Sequence, residues 1–530
     1  MLRPINATAS ALLLILVVYA GLGTLFAVTT PPWQNPDEPA HYNYIAHIAG
    51  ERQIPVLQMG DYDEAYLQRL KAEKFPPDLS IAPVRYESHQ PPLYYLLAAP
   101  VYWLSGGQLL ALRLFSVVLG GGVVLLIFLC ARLAVPGSPL IALGAAAFAA
   151  FLPMHAALMA SVNNDALAEL LIAAAVLGLL RWQRSVAAAD GGETPFLLLG
   201  TGVLIGLGFL TKATAYILLP IGLLIVFFGP AGPQAGRLLM SRKQLLRFAL
   251  LLGPALLLGL PWWIRNSLVY GNLDILGLTW HDAVVTGQPT AGAWIAENGW
   301  GAYWERAWTF TGKSFWGVFG WLGVFMDARV YTLFFILSIM AAVGVVGRWR
   351  MQGSEKDTHW TFILSSPWMT MLLLWAAAFA AYIWYNIGFI QHQGRYLFPA
   401  LPAWSLLFAV GWWTVLERRV SITAGGILLA AGAVSLILPL LVDSSADKWT
   451  LLLFGLAGIG LLLHGQLSER IERVVTGMVA AERHGAGQGA SSRLREVGVL
   501  RTILFACPYL VMVAIDIAIP FLYIVPQLGS

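Results

Sequence analysis

Charge is scarce in this sequence. Only 11% of the 530 residues are Asp, Glu, Lys or Arg, while 58% are hydrophobic. A soluble domain carries about 25% charged residues, so that class is excluded. Cysteine is nearly absent. Cys130 and Cys507 both sit inside apolar runs, which rules out a disulfide framework, and no Cys/His spacing suggests a zinc site. No glycine loop of Walker or Rossmann type follows a strand, so nucleotide chemistry is not indicated. The net charge of +4 is small, and the basic residues lie in short loops rather than on one stripe, which argues against a nucleic-acid partner. No internal repeat is evident, and this weakens a transporter built from duplicated halves.

Apolar runs, by contrast, recur from end to end, each close to the ~20 residues that cross a bilayer as a helix. Spans are expected near 9–28, 111–133, 138–158, 166–182, 195–212, 214–229, 246–264, 330–347, 363–386, 396–415, 422–442, 449–464 and 501–525. The first run follows Arg3 and is long for a signal peptide, so an uncleaved first span is expected. The fold class is therefore an all-α polytopic membrane protein with about 13 transmembrane helices. Pro91 to Leu104 is apolar but short, broken by Pro100 and rich in Tyr and Trp, as an interfacial segment would be.

Basic residues orient the spans. If 91–104 does not cross, one set of loops holds Arg132, Arg181, Arg184, Arg237, Arg242, Lys243 and Arg247. The same set holds Arg348, Arg350, Arg418, Arg419, Arg470, Arg473, Arg483, Arg493 and Arg495. The positive-inside rule puts that set in the cytoplasm. The protein is then expected in the plasma (inner) membrane, N-terminus inside and C-terminus outside. Two large segments face out: 29–110, with interfacial helices, and the Trp-rich 265–329, read as lying on the bilayer surface. Residues 465–500 read as a basic cytoplasmic loop.

Polar residues gather at the outer ends of the spans. Asn35-Pro36-Asp37-Glu38-Pro39-Ala40-His41 follows span one. Asn35 suits an N-cap, Pro36 the first helical position, and Glu38 the first turn. Asp37 and His41 are one turn apart on one face, an arrangement that suits a general base. Glu87-Ser88-His89-Gln90-Pro91-Pro92 comes next. Glu87 and Ser88 read as a solvated proline turn, whereas His89 and Gln90 can face a cavity. Asn163-Asn164-Asp165 opens span four, and a cap needs only one of the three. Lys212, Arg265 and Arg395 are cations on the side where cations are disfavoured. A snorkelling lysine is the plain alternative for Lys212. His392, Arg395 and Tyr396 precede the tenth span. Asp516 is the main charge inside a span.

The ordered set Pro36-Asp37-Glu38, His89-Gln90-Pro91-Pro92-Leu93, Arg113-Leu114-Phe115-Ser116, Asn164-Asp165-Ala166-Leu167, Leu210-Thr211-Lys212 and Tyr396-Leu397-Phe398-Pro399 covers most of the chain. It resembles the GT-C superfamily of membrane glycosyltransferases, in the branch of protein O-mannosyltransferases and the lipid A aminoarabinose transferase. The resemblance implies transfer of a sugar from a polyprenyl-phosphate donor to a glycan, lipid or protein acceptor at the outer face. It implies Asp37 as catalytic base, and usually inversion at the sugar carbon. Many relatives have a lysine before the double proline, where this chain has Gln90, so donor and acceptor do not carry over.

Asp37, Glu38 and Asp165 are thus the candidate catalytic residues. His41, His89, Gln90, Asn164, Lys212, Arg265, His392, Arg395 and Tyr396 are the candidate substrate-binding ones. A divalent metal on Asp37, Glu38, His41 and Asp165 ranks below a metal-free mechanism, because no ligand spacing is diagnostic. A flippase for a lipid-linked sugar is the alternative from another class; its charges would sit nearer the midplane.

Overall fold

The computed structural model describes residues 7–187, 194–228, 241–352, 367–441, 447–482 and 490–529. Helix α1 (Ala7–Thr29) enters a first long connection, which carries α2 (Glu38–Glu51), α3 (Glu64–Ala72), a 3-10 turn Tyr86–His89 and α4 (Leu93–Ser105). Next come α5 (Leu109–Ala134), α6 (Pro139–Phe151), α7 (Pro153–Met159), α8 (Asp165–Ala187), α9 (Pro195–Phe209), α10 (Leu218–Phe228) and α11 (Arg242–Tyr270). A second long connection holds α12 (Leu278–Val284), α13 (Ala291–Trp316) and a hairpin of β1 (Val318–Phe319) with β2 (Val324–Phe325). The chain closes with α14 (Ala328–Gln352), α15 (Pro367–Gly388), a 3-10 turn Gly394–Ala400, α16 (Leu401–Val415), α17 (Arg418–Leu441), α18 (Lys448–Glu482), α19 (Ala490–Ile519) and α20 (Val525–Leu528).

Among the described residues, nine helices are long and apolar enough to cross a membrane, or ten if α6 and α7 count as one span. Each expected span coincides with a helix, including the shorter α9 and α10, and the all-α polytopic class holds. Residues 229, 363–366 and 442 at the span ends lie outside the described residues, as do Arg237 and Arg483 of the basic clusters. The stretch 465–500 is not the loop expected. α18 runs to Glu482 and α19 starts at Ala490, so helix covers every described residue of it, and 483–489 lie outside the described residues.

Local chemistry explains the breaks. α6 and α7 meet at 63°. Pro153 has no N–H for the carbonyl of Ala149, and the His155 ring supplies the missing donor, its Nδ1 lying 2.7 Å from that oxygen. The other ring nitrogen is 3.2 Å from Glu169 of α8. Helices α14 and α16 cross at Ala341, Gly344 and Gly411. There a side chain on either glycine would strike the opposing backbone. Such close approach through small residues is how helices pack where no water drives them together. Asp516 in α19 is fully buried, and neither of its oxygens has a hydrogen-bond partner among the described residues.

Both long connections lie at one end of the bundle and are stitched to each other. Arg265 at the end of α11 donates to Pro55 O at 2.7 Å, and Trp280 to Leu57 O at 2.8 Å. The hairpin turn places Trp321, whose indole donates to Trp33 O at 2.9 Å. Tyr44, Ile45 and Ile48 of α2 pack on Tyr94, Tyr95 and Ala98 of α4 rather than facing outward. On α4, Leu96, Leu97, Trp103 and Leu104 are exposed. On α13, Trp300, Trp304 and Trp308 form one exposed stripe at helical spacing.

Candidate active site

The site is built where α1 turns into α2. Helix α2 starts at Glu38, later than the Asn35 cap expected, and Pro39 sits in its first turn. Asp37 occupies the cap position in a left-handed conformation (φ 67°), and its side chain makes no cap bond. Aspartate is one of the few residues that tolerate that region, and strain of this kind concentrates at functional sites. Freed from capping, the Asp37 carboxylate accepts from Tyr86 OH at 2.8 Å and from Arg395 Nη2 at 3.2 Å.

Glu38 goes the other way. It is fully buried and accepts from Arg113 Nε at 2.8 Å and Nη2 at 2.6 Å. It also accepts from the backbone N–H groups of Trp33 and Val162 and from Asn35. Arg113 in turn donates to the carbonyls of Ala27, Thr30 and Pro31. With no exposed surface and its oxygens taken by these donors, Glu38 cannot hold sugar or acceptor. Its reading as a catalytic residue is corrected to that of a clip binding the end of α1 and the start of α2 to α5.

Arg395 reaches Asp37 because of Gly394. The Gly394 N–H donates to Ser314 Oγ at 2.8 Å, and a side chain there would collide with the backbone of Phe315. Gln393 then accepts from Arg395 Nε at 2.6 Å, and Tyr396 lies under the guanidinium at 5.7 Å. A second ion pair, Lys212 with Asp165 at 2.7 Å, stands at the mouths of α8 and α9. Asn164 donates to Gln90 Oε1 at 3.2 Å and to Thr211 O at 3.3 Å. The double proline is held there by Leu93 N–H donating to Leu210 O at 2.8 Å.

His41 and Glu87 are close enough to feel the charges of both pairs. His41 feels the charges of Glu87, Asp37, Lys212 and Asp165, and its Nδ1 is 2.8 Å from Tyr95 OH. Burial lowers its pKa below the usual histidine value. Burial raises the pKa of Glu87, a push that His41 opposes and Asp37 reinforces. One Glu87 oxygen is buried with no hydrogen-bond partner among the described residues. Burial alone would raise Asp37 too. Arg395, His41 and the Tyr86 hydroxyl overcome it and hold the carboxyl below the ordinary aspartate value.

Three expected binding residues are elsewhere. Arg265 is tied to Pro55 and stacked on Trp262 and Tyr270. His89 turns to Tyr86 O and to the ring of His281, 4.4 Å away. His392 is buried against Tyr303, and burial together with Arg306 pushes its pKa down to about 4. Glu87 is the residue that sequence reading passed over, as a solvated turn. Its signal was a carboxylate two residues ahead of a His-Gln-Pro-Pro motif already singled out.

The metal set does not fit. Glu38 is spent on Arg113 and Asp165 on Lys212. Among the described residues no group of three His, Cys, Asp or Glu is placed to hold an ion.

Fold and site together define a polytopic helical membrane protein whose acids and cations meet at one end of its bundle. Residues 89–264 match the family described as dolichyl-phosphate-mannose-protein mannosyltransferase. The resemblance to membrane glycosyltransferases of the GT-C superfamily is borne out by that match. Among solved structures, an oligosaccharyltransferase of Archaeoglobus fulgidus, tethered to an acceptor peptide, is 15% identical over 86% of this chain and 54% of its own, with a TM-score of 0.44. ArnT of Cupriavidus metallidurans is 13% identical when bound to undecaprenyl phosphate, over 97% of this chain and 78% of that one, with a TM-score of 0.48. In its apo state the values are 14%, 97%, 78% and 0.49. This chain spans about half the length of the archaeal enzyme. No curated protein sequence matches it.

Proposed function

We propose that the protein is a membrane glycosyltransferase. It takes a sugar from a polyprenyl-phosphate donor and passes it to an acceptor hydroxyl at the outer face of the plasma membrane. The observation that carries this reading is the Asp37–Arg395 pair, with the Asp165–Lys212 pair linked to it through His41 and Glu87. A phosphate leaving group needs cations, and a hydroxyl nucleophile needs a carboxylate; this cluster supplies both.

The step is a direct displacement. The acceptor oxygen attacks the anomeric carbon and its proton passes to Asp37. The carbon–oxygen bond to phosphate breaks, and the electron pair leaves on the phosphate, facing Lys212 and Arg395. Arg395 at rest lies on Asp37. A donor phosphate competing for Arg395 would relieve that pairing and make Asp37 a stronger base when the donor is in place. Asp165 and Asn164 orient Lys212 and Gln90.

The test is binding of polyprenyl phosphate to purified protein, with release of lipid phosphate from a radiolabelled polyprenyl-phosphate sugar. Lys212→Ala and Arg395→Ala should each weaken polyprenyl-phosphate binding by about tenfold or more, the value of one charge-assisted contact. Unchanged binding in both would leave the cations without a phosphate partner. A flippase would move the lipid but release no lipid phosphate.

A further inference from the structure

A cavity of about 240 Å³ opens beside Asp37 and Arg395, away from Lys212. Its remaining wall comes from connections rather than from the middles of spans: α3 and its approach, Tyr86, residues 288–289, the hairpin turn, and residues 391–393. We infer that this cavity receives the acceptor, and that the acceptor is an uncharged, hydroxyl-rich ring, the terminal unit of a glycan. The inference rests on the transferase reading above.

Three features carry it. The first is the chemistry of the wall. Gln68, Gln288, Gln391 and Gln393 line it, and a carboxamide both donates and accepts. A sugar hydroxyl also does both, so such side chains suit a ligand with many hydroxyls better than one with a single charge. The second is charge balance. Asp37, Glu64, Lys71 and Arg395 all line the cavity, two of each sign, which favours a neutral occupant. The third is size. A volume below the roughly 300–1,000 Å³ of pockets for drug-sized ligands fits one ring-sized unit rather than a folded segment or a lipid chain.

The wall is also wired to the base. Gln393 Nε2 donates to Gln391 Oε1 at 2.7 Å, and Arg395 Nε donates to Gln393 Oε1 at 2.6 Å. Arg395 Nη2 then donates to Asp37. A ring held at Gln391 is thereby coupled, through Gln393 and Arg395, to the carboxylate that would take the proton of another hydroxyl, the one that reacts. Lys212 lines no part of the cavity, so acceptor and phosphate would approach Asp37 from different sides, as a direct displacement requires.

The experiment uses the full chain in lipid nanodiscs. Neutral methyl hexopyranosides and a serine-containing peptide are compared as ligands by saturation-transfer NMR, with polyprenyl phosphate present and absent. At least one glycoside should bind with polyprenyl phosphate in place. Gln288→Leu and Gln391→Leu should each weaken that binding at least tenfold, while polyprenyl-phosphate binding stays within twofold and shows both variants folded. Binding of the peptide and of no glycoside would overturn the inference. So would glycoside binding that polyprenyl-phosphate sugar displaces, because the cavity would then hold the donor. Glycoside binding as expected, with no cleavage of any donor by the wild type, would instead overturn the transferase reading.

Discussion

Asp37 and Glu38 are adjacent and carry the same charge, yet the backbone between them sends one to Arg395 and the other to Arg113. From sequence, both stood among the candidate catalytic residues, with Asp37 read as the base and Glu38 as suited to a helix start; the left-handed turn at Asp37 separates them, and no periodicity reveals such a turn. Lys212, Asp165 and Arg395 were legible because a charge at a membrane boundary is costly and needs a reason. Glu87 was not, since a carboxylate before two prolines looks like a solvated turn until the 3-10 turn Tyr86–His89 folds it beneath α2. Its raised pKa carries a prediction. The folded state holds the proton more tightly than the unfolded one, so the contribution of Glu87 to stability is fully present below about 4.5 and is lost as pH rises through the folded value. Glu87→Gln should flatten that fall and raise the unfolding temperature at neutral pH. Parallel pH–stability curves for wild type and variant would contradict the assignment.

At the scale of elements, hydropathy marks where spans lie but not where helices stop. The run from 449 looked complete by 464, yet α18 continues to Glu482 as a polar helix. The Pro153 break was hidden inside one apolar run, since periodicity does not register a missing N–H. The most consequential element-level contact is the Glu38–Arg113 clip, because it joins α1, α2 and α5 through a buried ion pair. Removing one partner strands the other charge away from water, at a cost of about 3–5 kcal/mol. Arg113→Ala should therefore lower the unfolding temperature strongly and reduce any transfer through misplacement of Asp37. A variant as stable as wild type would show that the loop is held by other contacts.

At the scale of the whole molecule, the positions of the spans and the all-α class were readable because a bilayer demands long apolar helices. The meeting of residues 37, 87, 165, 212 and 395 was not, since their proximity depends on how helices pack and how the two connections interlock. The orientation in the membrane rests on the basic clusters. It predicts that Met59→Cys, at an exposed point of the first connection, is labelled by an impermeant reagent from outside. Ser241→Cys, at the start of α11, should be labelled only from inside, with Cys507 replaced beforehand. Labelling of both from one side would place the two connections and the basic loops on the same face.

The central claim is that Asp37 is the base of a sugar transfer, and Asp37→Asn in purified protein tests it most directly. Asparagine tolerates the left-handed backbone and keeps the size of the side chain, so only charge and basicity change. With a cleavable polyprenyl-phosphate sugar as donor, the variant should lose about 10²–10⁴ in transfer rate, the usual share of a positioned base. It should still bind the donor, at least as tightly as the wild type, because Arg395 is no longer shared with a carboxylate. Transfer near the wild-type rate would contradict the account.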